Sequence, residues 1–173
     1  MTGSSSLPRT TDPSACALSA EAKTIHSPWL GEIESDADSE LYFPAGMPGF
    51  EDHHRMVAIE VPSQRPVVYL QSLERDEICF AALPVYVIDP SFRLDLSDDE
   101  RSVLRLPEDG DPSIGADVLC LALLRKSDRT VEASTGAAIV INLHNGRGVQ
   151  CVPREGASVL FRLCPDNGWR REC

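Results

Sequence analysis

Residues 67–92 read VVYLQSLERDEICFAALPVYVIDPSF. Two apolar runs rich in Val, Ile and aromatic residues flank the polar step Glu74–Glu77, and Pro90 closes the stretch. Short apolar runs bounded by charge, Pro or Gly follow the grammar of strands; helices need a longer 3.6-residue period. The same grammar extends outward. LYF (41–43), MVAIEV (56–61), DVLCLALLRK (117–126), AAIVINL (137–143), VQCV (149–152) and ASVLFRL (157–163) are all short and punctuated by Pro, Gly, Asp or Asn. The expected fold is mainly β: a compact, barrel-like antiparallel domain, or a sandwich, with one or two short helices. ELYF, the AIVIN run and the final SVLFRL are candidates for closing the sheet, and the order of pairing is not readable from a single sequence.

One helix is signalled strongly. In LSDDERSVLRL, Ser97 is a candidate N-cap with Glu100 three residues on, the pattern of a capping box. Asp98, Asp99 and Glu100 suit the positive end of the helix dipole, and Pro107 with Gly110 is expected to stop the helix. PSIGAD (112–117) then leads into the strand DVLCLALL. Residues 1–26, rich in Ser, Thr, Pro and Ala, read as a disordered or loosely attached leader. Order is expected to begin near Trp29, with a β domain over 27–165 and a flexible tail over 166–173.

The 173 residues suit one domain, which at this size buries about two-thirds of its unfolded surface and needs no metal or disulfide staple. With 27 acids against 16 bases the formal charge is −11. A polyanionic nucleic acid is therefore a disfavoured direct partner, and Arg125, Lys126 and Arg129, interrupted by Asp128, make a poor basic patch. A basic protein fits better. No apolar run approaches the ~18 residues of a membrane helix, and the first residues lack the apolar core of a secretory signal, so the expected compartment is the cytoplasm. The cysteines show no CxxC spacing. Cys79, Cys120 and Cys151 sit in apolar runs and read as small buried hydrophobes, whereas Cys16 and Cys173 read as exposed thiols.

The stretch FPAGMPGFEDHH (43–54) raises a chemical question. A phosphate cradle needs successive N–H donors, a following helix and a lysine; here the prolines remove donors and neither of the others follows. His53 and His54 are adjacent, which sends their rings to opposite faces of a strand, and they read as a surface pair rather than metal ligands. No GxSxG is present, and the carboxylates Asp95–Glu100 look like a solvated helix start. The chain offers no catalytic constellation, cofactor motif or metal site. In EIESDADSE, Glu32, Glu34, Asp36, Asp38 and Glu40 alternate and would share one face of an extended chain. This is either a solvated, protected edge or a docking rail for a basic partner.

Taken in order, FPAGMPGFED, VVYLQSLERDEICFAALPVYVIDPSF and AAIVINLHNGRGVQ resemble the FliW family of flagellar assembly factors. The family's turn Phe-Pro-x-Gly-(Ile/Leu/Met)-Pro-Gly-Phe-Glu matches Phe43–Glu51. Its Leu-Gln-Ser and Ile-Val-Ile-Asn elements match at Leu70–Ser72 and Ile139–Asn142. The likeness runs from about Gly31 to Leu163. It departs where STGAAIVIN (134–142) carries Ser134 and Ala138 in place of the family's Asn and Pro, and in the tail FRLCPDNGWRREC. The 43–54 stretch then reads as a structural turn beside a binding surface. Gly46 and Gly49 can take the positive φ that other residues avoid, Pro44 and Pro48 fix φ, and Phe43 and Phe50 are expected to anchor its two ends in the core.

The resemblance implies a cytoplasmic, non-enzymatic regulator that needs no cofactor and is monomeric when free. Its implied partners are flagellin and the carbon-storage regulator CsrA, a basic RNA-binding repressor of flagellin translation, which FliW-like proteins antagonise until flagellin captures them. Gln71, Ser72 and Asn142 match motif positions, and Phe50, Glu51 and Asp76 lie at expected loop mouths; these six are the candidate partner-binding residues. The alternative reading is an acidic β-rich adaptor or ligand-binding module without a flagellar role. A small hydrolase would need a cleft with converging polar groups.

Overall fold

A computed structural model describes residues 23–35, 39–127, 130–151, 160–164 and 168–171. The leader up to residue 22, Asp36 and Asp38 of the acidic alternation, Asp128, Arg129, Cys16 and Cys173 lie outside the described residues.

Strands β1 (Lys23–Ser27) and β2 (Gly31–Ser35) form a separate antiparallel hairpin. A second, ten-stranded sheet holds the rest: β3 (Glu40–Tyr42), β4 (Arg55–Glu60), β5 (Val68–Ser72), β6 (Cys79–Pro84), β7 (Val118–Lys126), β8 (Val131–Ser134), β9 (Ile139–Asn142), β10 (Gly148–Gln150), β11 (Leu160–Cys164) and β12 (Gly168–Arg171). Its order is β12-β11-β8-β7-β6-β5-β4-β3, with β9 on β7 and β10 on β9. All of these named strands pair antiparallel.

The sheet branches at β7. Val118–Leu121 pairs with β9, Leu124–Lys126 with β8, and Leu121–Leu123 with β6. Alternate residues of β7 therefore feed opposite faces. Val118, Cys120 and Ala122 join a core with Val85, Ile88, Leu104 and Val140. Leu121 joins a second core with Phe43, Met47, Met56, Leu70, Ile139 and Ile141. Burial raises the Cys120 thiol to about 12, so this cysteine packs as an apolar residue. Cys151 is buried and Cys79 half-buried, in line with their apolar runs. A third core lies on the outer face of β4, where Val57 and Ile59 meet Ile25, Leu30 and Ile33 of the hairpin.

The mainly β antiparallel architecture is the one expected; closure into a barrel is not reached. β3 and β10 approach each other through one parallel bridge, Tyr42 with Arg147, in which Tyr42 N–H donates to Gly146 O at 2.9 Å. Arg147 stacks over the Tyr42 ring at 5.5 Å and donates from Nε to Val103 O at 2.6 Å. One side chain thus spans the seam where ladder bonds would otherwise close it.

Three boundaries shift. Strand structure is already present at Lys23, ahead of the expected start near Trp29, because Ile25 is buried against the sheet and pairs with Ile33. The run ICFAALPVYVI divides at Pro84 into β6 and the single helical turn α1 (Val85–Ile88), which buries Val85 and Ile88 and exposes Tyr86. Residues 168–171 pair with β11 instead of trailing as a tail.

Helix α2 (Asp98–Leu104) has the expected capping box. Ser97 Oγ accepts from Glu100 N–H at 3.2 Å, and Glu100 Oε2 accepts from Ser97 N–H at 2.7 Å. The helix ends before Pro107, on Arg105 in the left-handed region at φ 54°. Arg101 then fastens the following loop through Gly110 O and Asp111 Oδ1, both at 2.9 Å.

Candidate functional site

The 43–54 stretch folds back on itself. Phe43 N–H donates to His54 O at 2.7 Å, and Phe50 N–H donates to Met47 O at the same distance. Gly46 (φ +65°) and Gly49 (φ +84°) supply the left-handed backbone. Phe43 and Met47 are fully buried. Phe50 departs from the expected core anchor: it is 36% exposed, its ring edge-on to Phe80 at 5.1 Å. Glu51 is exposed, and its carboxylate accepts Gly49 N–H at 2.8 Å, which holds its pKa below the usual value. His53 and His54 are not an exposed pair. His54 Nδ1 lies 2.9 Å from Phe43 O, and both His53 ring nitrogens are buried without a hydrogen-bond partner among the described residues.

The loop after β5 is built from its own strand end. Ser72 Oγ accepts from the N–H groups of Glu74 and Arg75, each at 3.2 Å. Gln71, fully buried, donates from Nε2 to the carbonyls of Asp76 and Ile78 at 3.0 Å and of Ser72 at 3.2 Å. These bonds satisfy carbonyls of the loop and fix the arc on which Asp76 stands exposed. Glu74 then reaches across to accept His54 N–H at 2.7 Å, tying this loop to the 43–54 turn. The indole Nε1 of Trp29 donates to Glu77 O at 3.4 Å, which brings in the β1–β2 turn.

One end of the molecule therefore gathers Phe50, Glu51, Gln71, Ser72 and Asp76. Phe50, Glu51 and Asp76 present surface, whereas Gln71 and Ser72 position backbone beneath it. Asn142 belongs to a different neighbourhood. It is buried at the end of β9, its Nδ2 donating to Leu104 O at 3.0 Å and its Oδ1 accepting His144 N–H at 2.9 Å. Asn142, His144 and Asn145 line a cleft of about 370 Å³ together with Arg101 and Arg105 of the α2 end. Asp117 there accepts Ser113 N–H at 2.8 Å and lies 3.2 Å from His144 Nε2, and both contacts lower its pKa.

The basic stretch at 125–129 is partly committed internally. Arg125 Nη2 pairs with the buried Glu132 at 2.6 Å, and Arg162 Nε pairs with the same carboxylate at 3.2 Å. Among the described residues no group of three or more His, Cys, Asp or Glu is arranged to hold a metal. No helix there is long and apolar enough to cross a membrane. What the gathered loops offer is exposed aromatic and acidic surface on a backbone held from below, an arrangement suited to contact with another macromolecule.

Three contributors leave little trace of their roles in the sequence. Trp29 was readable only as an aromatic near the domain's end, although SPWLG between KTIHS and GEIES, each with one central Ile, carries a hairpin signal. The His54 backbone N–H and the Glu74 carboxylate meet from twenty residues apart and leave no local pattern.

The FliW protein family matches residues 24–160 of this chain. Flagellar assembly factor FliW of Azoarcus sp. is 32% identical over 147 residues, covering 80% of this chain and 97% of that protein. The protein of the same name from Caldicellulosiruptor bescii is 26% identical over 130 residues, covering 75% and 82%. A crystal structure of the flagellar assembly factor FliW superposes with a TM-score of 0.70 at 24% identity, over 84% of this chain and 99% of that one, and shares its fold. The turn at 43–51, the Leu-Gln-Ser strand end and the Ile-Val-Ile-Asn strand all fall inside the matched span; the chain belongs to the FliW family.

Proposed function

We propose that this chain is a flagellar assembly factor that acts by binding proteins and carries out no catalysis. It antagonises the RNA-binding translational regulator CsrA and binds flagellin, coupling flagellin synthesis to filament assembly in the cytoplasm, and it is a monomer when free. The observation that carries this reading is the family match over residues 24–160, together with relatives named flagellar assembly factors.

The charge supports it. An RNA-binding regulator is basic, and a chain at −11 meets it with a complementary field that speeds encounter. Phe50, Glu51 and Asp76 are the proposed contacts at the gathered loops. Gln71 and Ser72 contribute by holding those loops, and Asn142 by holding the α2 end against the turn after β9.

The test is calorimetric titration of the full chain with the host's own CsrA at two salt concentrations, followed by titration with flagellin. Saturable binding that weakens with salt is expected for the regulator. Absence of heat and of co-elution with both folded partners would overturn the reading and leave an acidic β adaptor with another role.

A further inference from the structure

The indole of Trp29 is 70% exposed, the largest exposure among the big hydrophobic side chains of the described residues. It is nevertheless held in place. Ser27 Oγ accepts from the N–H groups of Trp29 (3.4 Å) and Leu30 (3.3 Å), and Trp29 Nε1 donates to Glu77 O. On either side of this turn, Ile25 and Ile33 face the sheet. The alternation of the strands therefore turns His26, Glu32 and Glu34 outward. Across the tether, Asp76 and Glu77 are exposed on the loop that Gln71 fixes from beneath. Against these four acids stand Arg75, 3.7 Å from Glu77, and His26, opposite Glu32 in the hairpin register.

A preordered aromatic costs little entropy to engage, and large aromatics at the centre of an interface carry much of its binding energy. A tryptophan face also attracts guanidinium and ammonium groups. The geometry points to Trp29, Glu32, Glu34, Asp76 and Glu77 as a docking surface for a cationic segment of a protein partner, an arginine or lysine of which stacks on the indole while the acids pair with its neighbours. A polyanion such as RNA is repelled by the same acids. The inference rests on the protein-binding reading above and names the surface that reading uses.

The experiment follows Trp29 emission in the full chain carrying Trp169→Phe, so that Trp29 is the sole indole, during titration with the host's CsrA. A saturable emission change is expected. Trp29→Ala, measured by calorimetry, is expected to weaken binding about tenfold or more. Glu32→Gln with Glu34→Gln should weaken it comparably and flatten its salt dependence. Glu108→Gln with Asp109→Asn makes the same change in net charge on a distant loop and should leave affinity within about twofold. Circular dichroism establishes that each variant is folded.

Folded Trp29→Ala and Glu32/Glu34 variants that bind like the parent would overturn the surface while leaving the partner in place. Equal weakening by the two charge pairs would also overturn it, reducing the effect to net charge. If the parent chain binds neither CsrA nor flagellin, the functional reading falls, and a short arginine–serine peptide decides the surface. Perturbation of Trp29 emission that the Glu32/Glu34 variant abolishes and the Glu108/Asp109 variant keeps supports it. No perturbation, or a response to single-stranded RNA instead, sinks it.

Discussion

The ring of Phe43 occupies the space that a side chain at residue 148 would need. A Cβ on Gly148 would stand 2.4 Å from Phe43 Cε1 and 2.5 Å from Cζ, and Phe43 is itself fully buried. This contact seats the 43–54 turn against β10, and its constraint is volume rather than backbone conformation. Gly148→Ala should destabilise the fold by about 1–3 kcal/mol as an overpacking change. Adding the smaller Phe43→Leu should recover part of that loss, a coupling read from urea midpoints of the double-mutant cycle. Strict additivity of the two changes would argue against the contact.

Gly46 and Gly49 sit three residues apart in one turn and should respond differently to the same substitution. Both have positive φ, a cost of about 1–2 kcal/mol for an alanine. At Gly49 nothing lies within 4 Å of an added Cβ, so Gly49→Ala should cost about that amount and no more. At Gly46 the added atom would lie 2.6 Å from backbone atoms of Phe50 and Glu51, which cannot move aside as a side chain can. Gly46→Ala is therefore expected to be the more damaging of the two by thermal denaturation, and to disturb Phe50 and Glu51 with it.

Glu132 ties stability to acid. Arg125 chiefly, with Arg162, holds its pKa below the ordinary glutamate value of 4.5. A depressed folded-state pKa gives a contribution that is complete above about 4.5, where both states are ionised, and that is lost as pH falls through the folded value. Glu132→Gln should lower stability at neutral pH, with the gap to the parent narrowing below the carboxylate range. A gap that stays constant with pH would mean the arginines do not act on Glu132 through its charge.

Asn142 anchors two segments at once. Removing its amide leaves Leu104 O without that donor and His144 N–H without its acceptor, so Asn142→Ala should cost about 1–3 kcal/mol. Partner affinity measured well below the variant's melting temperature then separates roles. Unchanged affinity in the folded variant would confine Asn142 to holding the α2 end.

Much of the architecture was readable because the apolar runs are short and sharply bounded. β4, β5, β7 and β9 fall on MVAIEV, VVYLQS, DVLCLALL and AIVIN almost residue for residue. The helix at Asp98 was readable from its capping box alone. The elements that escaped are those whose pattern is too brief to show a period. α1 is one turn, with Val85 and Ile88 inward, hidden behind a proline at the end of an apolar run. β1 and β2 each commit one isoleucine to the sheet and otherwise look polar. Barrel closure depended on register between β3 and β10, which alternation along a strand cannot supply.

At the site, the motif positions Gln71, Ser72 and Asn142 stand out as polar residues in apolar strands. That signal is the same whether a side chain meets a partner or its own backbone, and here all three meet backbone. Trp29 and Glu74 act through tethers formed only once distant segments meet.

The branching of β7 also orders events during synthesis. β3 to β6 can pair with one another as soon as residue 84 has left the ribosome, since each neighbours the next along the chain. Their inner face, however, is closed by Leu121, Ile139 and Ile141, which are translated later. Until then the nascent meander shows Met56 and Leu70 to solvent, a sticky intermediate whose lifetime is set by the elongation rate. Slow translation across codons 85–141 should therefore lower the soluble yield of this chain more than slow translation after them.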